Sequence, residues 1–243
     1  MSKANSKKKR KPGVADRILA PVFWLRRWGI RAVCTGSLVF LGMVGLHAFA
    51  ANPPDTLYMQ QETNRLGQIE RRWVPIEEIS PFMARSVVAA EDANFCLHWG
   101  FDMGAIRLAL EEGSGRGAST LSQQVVKNVY LWQGRSWTRK ALEALMTPIV
   151  EVFWSKSRIV EVYLNVAEFD EGVFGVDAAA RHYFGVAPDE LTDLQAARLA
   201  AVLPNPKQRS ASKPSQFVRQ RANRIRDGAA TIERDGRSAC FED

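Results

Sequence analysis

The feature that most constrains this 243-residue chain is a stretch of twenty residues, 32–51, without a single Asp, Glu, Lys or Arg. At about 1.5 Å rise per residue, a helix of this length spans about 30 Å, the hydrocarbon thickness of a bilayer. Residues 1–31 before it hold ten Lys or Arg and one Asp, a balance of +9 in a chain of net charge +7. Basic residues next to a transmembrane helix stay on the cytoplasmic side of the membrane. The sequence therefore predicts a basic cytoplasmic tail over 1–31, a transmembrane helix over 32–51 and a body outside the cytoplasm.

A signal peptide or a nucleic-acid-binding tail fits this N-terminal region less well than a membrane anchor does. Residues 48–50, Ala-Phe-Ala, resemble a signal-peptide cleavage site, but the apolar run exceeds the 7 to 15 residues of a signal peptide's hydrophobic region. A basic tail also occurs in proteins that bind nucleic acid. Here residues 32–243 are close to neutral and the adjacent span accounts for the charge, so we expect no nucleic-acid partner.

Beyond the span, the chain predicts one mainly α-helical domain. Residues 52–80 carry two prolines and mixed charge, and we expect a linker close to the membrane. Residues 81–243 are expected to form the compact body, because apolar residues recur there at helical spacing and strand-like alternation is scarce. That length is sufficient to bury a core.

The three cysteines and three histidines predict no metal site, because no cluster of them has zinc spacing. Cys34 lies in the span. Cys96 and Cys240 could pair outside the cytoplasm. Their wide separation and the odd cysteine count favour free thiols over a disulfide.

Glu91 is the first candidate catalytic residue. The segment before it predicts a short helix, with Ser80 as the cap and Pro81 at the first position. Glu91 then falls at the C-terminal end, over the apolar face and near the negative end of the helix dipole. Both effects raise the pKa of a carboxyl group, which suits a general base. The alternative is a solvated acidic pair, Glu91 and Asp92, at a frayed helix end.

A glycine-rich turn provides a candidate anion site. Gly113, Gly115 and Gly117 precede a helix that opens at Ser119 or Thr120. Such a turn directs backbone N–H groups at an anion, typically a phosphate. Amide and ammonium side chains follow on one helix face, and Thr120 and Gln123 have the spacing of a capping box. The face consists of Gln123, Gln124, Lys127 and Asn128. The alternative is a capped surface helix.

Glu143 is the second candidate carboxylate. It lies one helical turn after Arg139 and Lys140, and we expect it to stay ionised among these cations. Carboxylates in opposite environments divide the acid and base roles in sugar chemistry. The alternative is a surface ion pair worth less than about 1 kcal/mol.

The order of these motifs carries a family resemblance. The five motifs are Glu-Asp-x-x-Phe-x-x-His-x-Gly at 91–100, Gly-Ala-Ser-Thr-Leu-Ser-Gln-Gln-x-x-Lys-Asn at 117–128, Arg-Lys-x-x-Glu at 139–143, Lys-x-x-Ile-Val-Glu-x-Tyr-Leu-Asn at 156–165 and Ala-Ala-Val-Leu-Pro-Asn-Pro at 200–206. In this order they resemble the peptidoglycan glycosyltransferase family. Residues 166–185 look most like its monofunctional biosynthetic branch in Gram-negative bacteria.

The resemblance implies a lysozyme-like, mainly helical fold with a small membrane-facing jaw, and an enzyme that polymerises lipid II into glycan strands with inversion, releasing polyprenyl diphosphate. It makes Glu91 the general base and Glu143 the second essential carboxylate. The substrate-binding residues that it implies are Asp92, Phe95, His98, Ser119, Thr120, Gln123, Gln124, Lys127, Asn128, Arg135, Arg139 and Lys140. Lys156, Glu161, Tyr163 and Asn165 are interpreted as scaffold, and the arginine-rich segment 214–232 as a solvated basic helix.

The resemblance also implies partners and a location. The partners are lipid II, the growing strand and the membrane, with other wall-synthesis or division proteins left open. The location is the bacterial inner membrane, single-pass, with the catalytic domain periplasmic. No cofactor is required, and a divalent cation at the substrate pyrophosphate is left open. No transpeptidase activity is expected, because a Lys-Thr-Gly motif is absent. The rival functions are a lytic transglycosylase or muramidase, and a membrane-anchored scaffold without catalysis.

Overall fold

The computed structural model describes residues 14–112, 117 and 119–242, and it divides after Leu46 into two compact units. Helix α1 spans Val14–Phe49. Its segment Pro21–Phe49, with a mean hydropathy of 1.8, is long and apolar enough to cross a membrane, and no other helix in the described part of the chain meets that criterion. An apolar helix is present as predicted, but its bounds differ: it begins at Val14, inside the predicted tail, and ends at Phe49, two residues before the uncharged stretch does. Residues 1–13 of the basic tail lie outside the described residues.

In the described part of the second unit, ten further α-helices accompany a small sheet, which confirms the mainly α prediction. The helices are α2 Leu57–Leu66, α3 Pro81–Glu91, α4 Met103–Glu112, α5 Leu121–Tyr130, α6 Trp137–Phe153, α7 Lys156–Val166, α8 Val176–Phe184, α9 Asp193–Val202, α10 Gln216–Arg234 and α11 Ala239–Glu242. The strands are β1 Glu70–Arg71, β2 Glu168–Asp170 and β3 Val173–Phe174, in the order β1-β3-β2. Strand β3 is antiparallel to β2 and parallel to β1.

Two groups of helices hold the site in place. Helices α3, α9 and α10 pack against one another, and α5 packs against both α6 and α7. Helix α7 lies at the centre, because every residue from Ile159 to Val166 is buried. The apolar stripe predicted for α7 is therefore part of a helix that is covered on all sides over two turns.

Residues 52–80 are part of the body, where the sequence predicts a linker. Met59 of α2 is fully buried, and Val74 and Ile79 are 2% and 5% exposed. The side chain of Asn165 on α7 accepts from the backbone N–H of Val74 and donates to its carbonyl. The composition of residues 52–80 does not show that the segment is part of the body, because the residues that bury it lie about ninety positions later in the sequence. Ser80 precedes α3 as predicted, but its hydroxyl donates to the carbonyl of Leu191 instead of capping the helix.

The expectation of free thiols is wrong for two of the three cysteines. Cys96 and Cys240 form a disulfide, and Cys34 is free. The pairing follows from the return of the C-terminus to the Glu91 motif, where Phe241 packs beside Phe95. The guanidinium of Arg237 also donates to the carbonyl of Ala93. The separation of 144 residues along the sequence did not predict whether the two cysteines pair, because the fold brings their Cα atoms to 5.7 Å.

Candidate active site

Glu91 ends α3, as predicted, and its two carboxylate oxygens have different surroundings. Oε2 accepts a 3.0 Å hydrogen bond from the side chain of Gln124 on α5. Oε1 lies 3.6 Å from the guanidinium of Arg221 on α10. Burial raises the pKa of Glu91 above its ordinary value of 4.5, and Gln124, Arg221 and Lys127 oppose that rise. The predicted raised pKa is thus confirmed in direction, with burial as its first cause.

The side chain of Gln124 is held in place by Tyr163 on α7. Its side-chain carbonyl accepts from the hydroxyl of Tyr163 on α7 at 3.3 Å. The amide of Gln124 must therefore direct its nitrogen toward Glu91, because the oxygen is already engaged. Tyr163, interpreted as scaffold from the sequence, orients a side chain that contacts Glu91.

The start of α5 is joined to the Glu91 motif by buried polar contacts. Thr120 and Gln123 form the predicted capping box. The hydroxyl of Thr120 also donates to the carbonyl of Gly100 at 2.7 Å. Asp92 accepts from the backbone N–H of Leu121 and bonds with His98, at 2.9 and 2.8 Å. Asp92 is only 7% exposed, so the alternative of a solvated acidic pair at a frayed helix end is excluded.

Gly100 allows these two motifs to approach α6. It has φ +80°, which favours glycine, and a Cβ there would lie 2.7 Å from Cγ2 of Thr147. On the same helix, Glu151 pairs with Lys156, which also donates to the carbonyl of His98. Lys156 therefore supports the motif, as interpreted from the sequence. Gly113 and Gly115 of the glycine-rich turn lie outside the described residues.

Glu143 lies in a cluster of cations at the start of α6. Its Oε2 accepts from Arg139 at 2.9 Å, and its Oε1 from Lys140. The ammonium of Lys140 also donates to the hydroxyl of Ser119 at 2.8 Å. Glu143 is 2% exposed, so the alternative of a solvent-exposed surface pair does not apply.

One cavity of about 780 Å³ brings both carboxylates together. Five cations line it with Glu91 and Glu143. The lining residues are Ala90, Glu91, Gly117, Ser119, Gln124, Lys127, Arg135, Arg139, Lys140, Glu143, Pro204 and Arg221. Burial and the nearby cation Arg139 lower the pKa of Lys127 below its ordinary value of 10.5. This excess of positive charge suits a polyanionic ligand.

The other predicted substrate-binding residues lie around this cavity. Asp92 and Thr120 line an adjacent cavity of about 420 Å³, and Asn128 lines another of about 440 Å³ that also includes Gln124 and Lys127. Phe95 is fully buried, Gln123 is 4% exposed and the side chain of His98 is 9% exposed. None of these three lines the three cavities: Gln123 belongs to the capping box of α5, and His98 bonds with Asp92.

Arg221 is the cavity residue that the sequence pattern did not indicate, because it was assigned to a solvated helix face. Helix α10 buries Val218, Ala222 and Ile225, and Arg221 lies three residues after Val218 and four before Ile225. That spacing places it beside the buried face and could have signalled a partly covered arginine.

Comparisons with known proteins identify the family of this chain. The family model described as Transglycosylase matches residues 59–230. The chain belongs to the transglycosylase family. It is 57% identical over 237 residues to a biosynthetic peptidoglycan transglycosylase of Jannaschia sp. (strain CCS1), with 97% of this chain and 98% of the relative covered. Relatives of the same description from Ectopseudomonas mendocina (strain ymp) and Caulobacter vibrioides (strain ATCC 19089 / CIP 103742 / CB 15) are 46% and 44% identical, over 86% and 80% of this chain and 86% of each relative.

Membership of the family confirms three predictions. This transglycosylase has the expected lysozyme-like, mainly α fold. It is an enzyme of the glycosyltransferase class that acts in peptidoglycan biosynthesis. The matched region begins at residue 59, which also agrees with the placement of α2 inside the folded body.

Proposed function

We propose that this transglycosylase polymerises lipid II into linear glycan strands with inversion, releasing polyprenyl diphosphate. The observation that carries the proposal is the single cavity in which Glu91, with a raised pKa, shares the walls with Glu143 and five cations. A base for a sugar hydroxyl and a binding site for a diphosphate leaving group are the two components that such a transfer requires.

Glu91 acts as the general base in this proposal. Its Oε1 accepts the proton of the acceptor sugar's hydroxyl, and the hydroxyl oxygen forms a bond to the anomeric carbon of the donor. The bond from that carbon to the diphosphate oxygen breaks, and its electron pair leaves with the diphosphate. Attack opposite the leaving group inverts the anomeric centre.

Lys127, Arg135, Arg139 and Lys140 stabilise the charge that develops on the departing diphosphate. Preorganised cations are effective here because they already line the cavity in which the charge forms. Glu143 pairs with Arg139 and Lys140, which orients both. Removing Glu143 would therefore disorder the cation cluster.

A divalent cation would take its ligands from the diphosphate and from water. In the part of the chain that the structure describes, no three His, Cys, Asp or Glu side chains are grouped to hold a metal ion. The cationic side chains neutralise the diphosphate directly, so we propose that no cofactor is required.

We propose a single-pass protein of the bacterial inner membrane, with a cytoplasmic N-terminus and a periplasmic catalytic body. One helix of suitable length and hydropathy supports the single span, and the basic residues before it support the orientation. Exposed apolar side chains on the body support a membrane-facing jaw; they include Leu97, Trp99, Met103, Leu110, Trp137 and Leu145. Lipid II and the growing strand are the proposed membrane-bound partners, and contacts with other wall-synthesis or division proteins are left open.

Purified protein incubated with lipid II in detergent micelles tests this proposal. Synthesis of a glycan polymer is expected, with Glu91→Gln as the inactive control. Preformed sacculi in a parallel reaction test the lytic alternative, which has no use for a cluster of cations. Soluble fragments from sacculi without polymer from lipid II would contradict the proposal, and no reaction with either substrate would favour the scaffold.

A further inference from the structure

Arg221 is the cavity cation to which the proposed mechanism gives no role. It lines the same cavity as Glu91, and its Nη2 is 3.6 Å from Oε1. Gln124 holds the other carboxylate oxygen. The carboxylate therefore lies between a neutral donor on α5 and a cation on α10.

Rigid packing determines where Arg221 lies. Helix α10 buries Val218, Ala222, Ile225 and Ala229 and packs against α3 and α9. A Cβ added to Gly228 would be 3.3 Å from the Cβ of Ala89, so this glycine allows α10 to approach α3 closely just before Glu91. The side chain of Arg221 is 27% exposed and projects from a fixed helix.

The contact between Arg221 and Glu91 is electrostatic without being a hydrogen bond. A separation of 3.6 Å exceeds the 2.7–3.2 Å of an N–H···O bond. Among the described residues, Glu91 Oε1 and Arg221 Nε are both buried without a hydrogen-bond partner. Oε1 therefore keeps its lone pairs available for a proton while a positive charge lies beside it.

We propose that Arg221 is a positioning residue that keeps Glu91 ionised and Oε1 directed at the acceptor hydroxyl. The inference rests on the proposed role of Glu91 as general base. Without a nearby cation, a buried carboxylate would take up a proton from water and could not accept one from the substrate.

Among the described residues, Arg221 is the cation that lies within 4 Å of the Glu91 carboxylate. Asp92 at the end of α3 disfavours the charged form, and Lys127 on α5 favours it. A bound diphosphate would neutralise Lys127, whereas Arg221 lies beside the base itself. Gln124 is a neutral amide, and Tyr163 is a neutral hydroxyl that bonds to that amide. Arg209 is a second guanidinium close to Arg221. After each transfer, Arg221 also favours loss of the proton from Glu91 to water, which restores the base.

The test compares three variants of the full-length chain: Arg221→Met, Arg221→Lys and Arg224→Met. Arg224 is exposed on the same helix, so its variant is the matched control. The measurements are kcat and KM for lipid II polymerisation across the acidic limb of the pH profile, with a melting temperature for each variant. In Arg221→Met we expect the limb to move to higher pH, and a shift of one pKa unit would lower kcat/KM about tenfold at pH values on the acidic side of the limb. Little change in KM is expected. Arg221→Lys should keep the limb near its original position, and Arg224→Met should match the unsubstituted chain.

Three outcomes would overturn the inference. An unmoved limb with an equal loss of rate at every pH and a lower melting temperature would assign Arg221 to packing alone. A raised KM with an unmoved limb would make it a substrate-binding residue. Unchanged kinetics would remove it from the reaction. If the unsubstituted chain fails to polymerise lipid II, the proposed function fails and the inference fails with it, whereas an unmoved limb in an active enzyme overturns the inference alone.

Discussion

At the scale of single residues, the site depends on two carboxylates with different neighbours. Glu143 has a cation on each oxygen, whereas Glu91 has an amide on one oxygen and no hydrogen bond on the other among the described residues. A carboxylate with both oxygens engaged orients its partners, and one with a free oxygen can accept a proton. The different roles proposed for the two residues follow from these contacts.

Glu91→Gln should lower lipid II polymerisation by at least about 10²-fold, because the amide cannot act as a base. The melting temperature should rise at neutral pH, since the substitution removes a buried charge. The pKa of Glu91 is raised by folding, so this gain is present above the folded pKa, shrinks as pH falls through it and disappears below the ordinary value of 4.5. Thermal melts over this pH range check the sign, with Glu78→Gln at an exposed position as the control. Near-normal turnover would exclude Glu91 as the base.

Lys127→Gln should lower kcat/KM for lipid II about ten- to hundredfold, because a hydrogen bond to a charged group contributes about 1.5–3 kcal/mol. Steady-state kinetics in detergent measure the effect. Lys213→Gln, at an exposed position, is the matched control and should have no effect. Equal kcat/KM values for the two variants would contradict the proposed diphosphate contact.

At the scale of elements, the C-terminal helices complete the site from a distant part of the sequence. Helix α10 brings Arg221 to Glu91, and α11 is joined to the segment after Glu91 by the Cys96–Cys240 disulfide. Ion pairs of Arg85 on α3 with Glu233 and Glu242 add to this connection. The end of the chain thus contributes to the geometry of its first catalytic motif.

Replacing both Cys96 and Cys240 by Ala should lower the free energy of unfolding by about 2–5 kcal/mol, the usual cost of losing a native disulfide. Thermal melts in detergent measure the loss, and reduction of the unsubstituted chain should reproduce it. Cys34→Ala is the matched control, since Cys34 is free. A melting temperature that is insensitive both to reduction and to the double substitution would show that the disulfide does not stabilise the body.

At the scale of the whole molecule, the catalytic body begins before the end of the apolar stretch. The guanidinium of Arg158 on α7 donates to the carbonyls of His47 and Ala50, at 2.8 and 2.6 Å. These residues belong to the same compact unit as the site. A boundary at His47 therefore preserves contacts that a boundary at Pro53 removes.

A chain that begins at His47 should fold and polymerise lipid II in micelles at close to the full-length rate, and one that begins at Pro53 should melt at a lower temperature. On lipid II in bilayer vesicles, both should be at least about tenfold slower than the full chain, because the anchor raises the effective concentration of enzyme at the membrane. Initial rates in the two systems make the comparison. Equal rates on vesicles would refute a tethering role for α1.

The sequence by itself determined the features that depend on neighbouring residues. Twenty uncharged residues predicted the apolar helix, and local spacing placed Glu91 at the end of α3 and Thr120 at the cap of α5. The order of the five motifs indicated the family. These properties are local because helix periodicity, capping and ion pairs one turn apart depend only on residues a few positions apart.

Only the tertiary structure decided the contacts between distant segments. It paired Cys96 with Cys240, placed residues 52–80 in the body and brought Arg221 beside Glu91. Spacing within α10 could indicate that Arg221 is partly covered, but it could not indicate which residue Arg221 contacts. Residues 91 and 221 meet through the packing of α3 against α10, and that packing depends on many apolar side chains at once. The same packing leaves one oxygen of Glu91 without a hydrogen bond among the described residues, and the proposed chemistry depends on that oxygen.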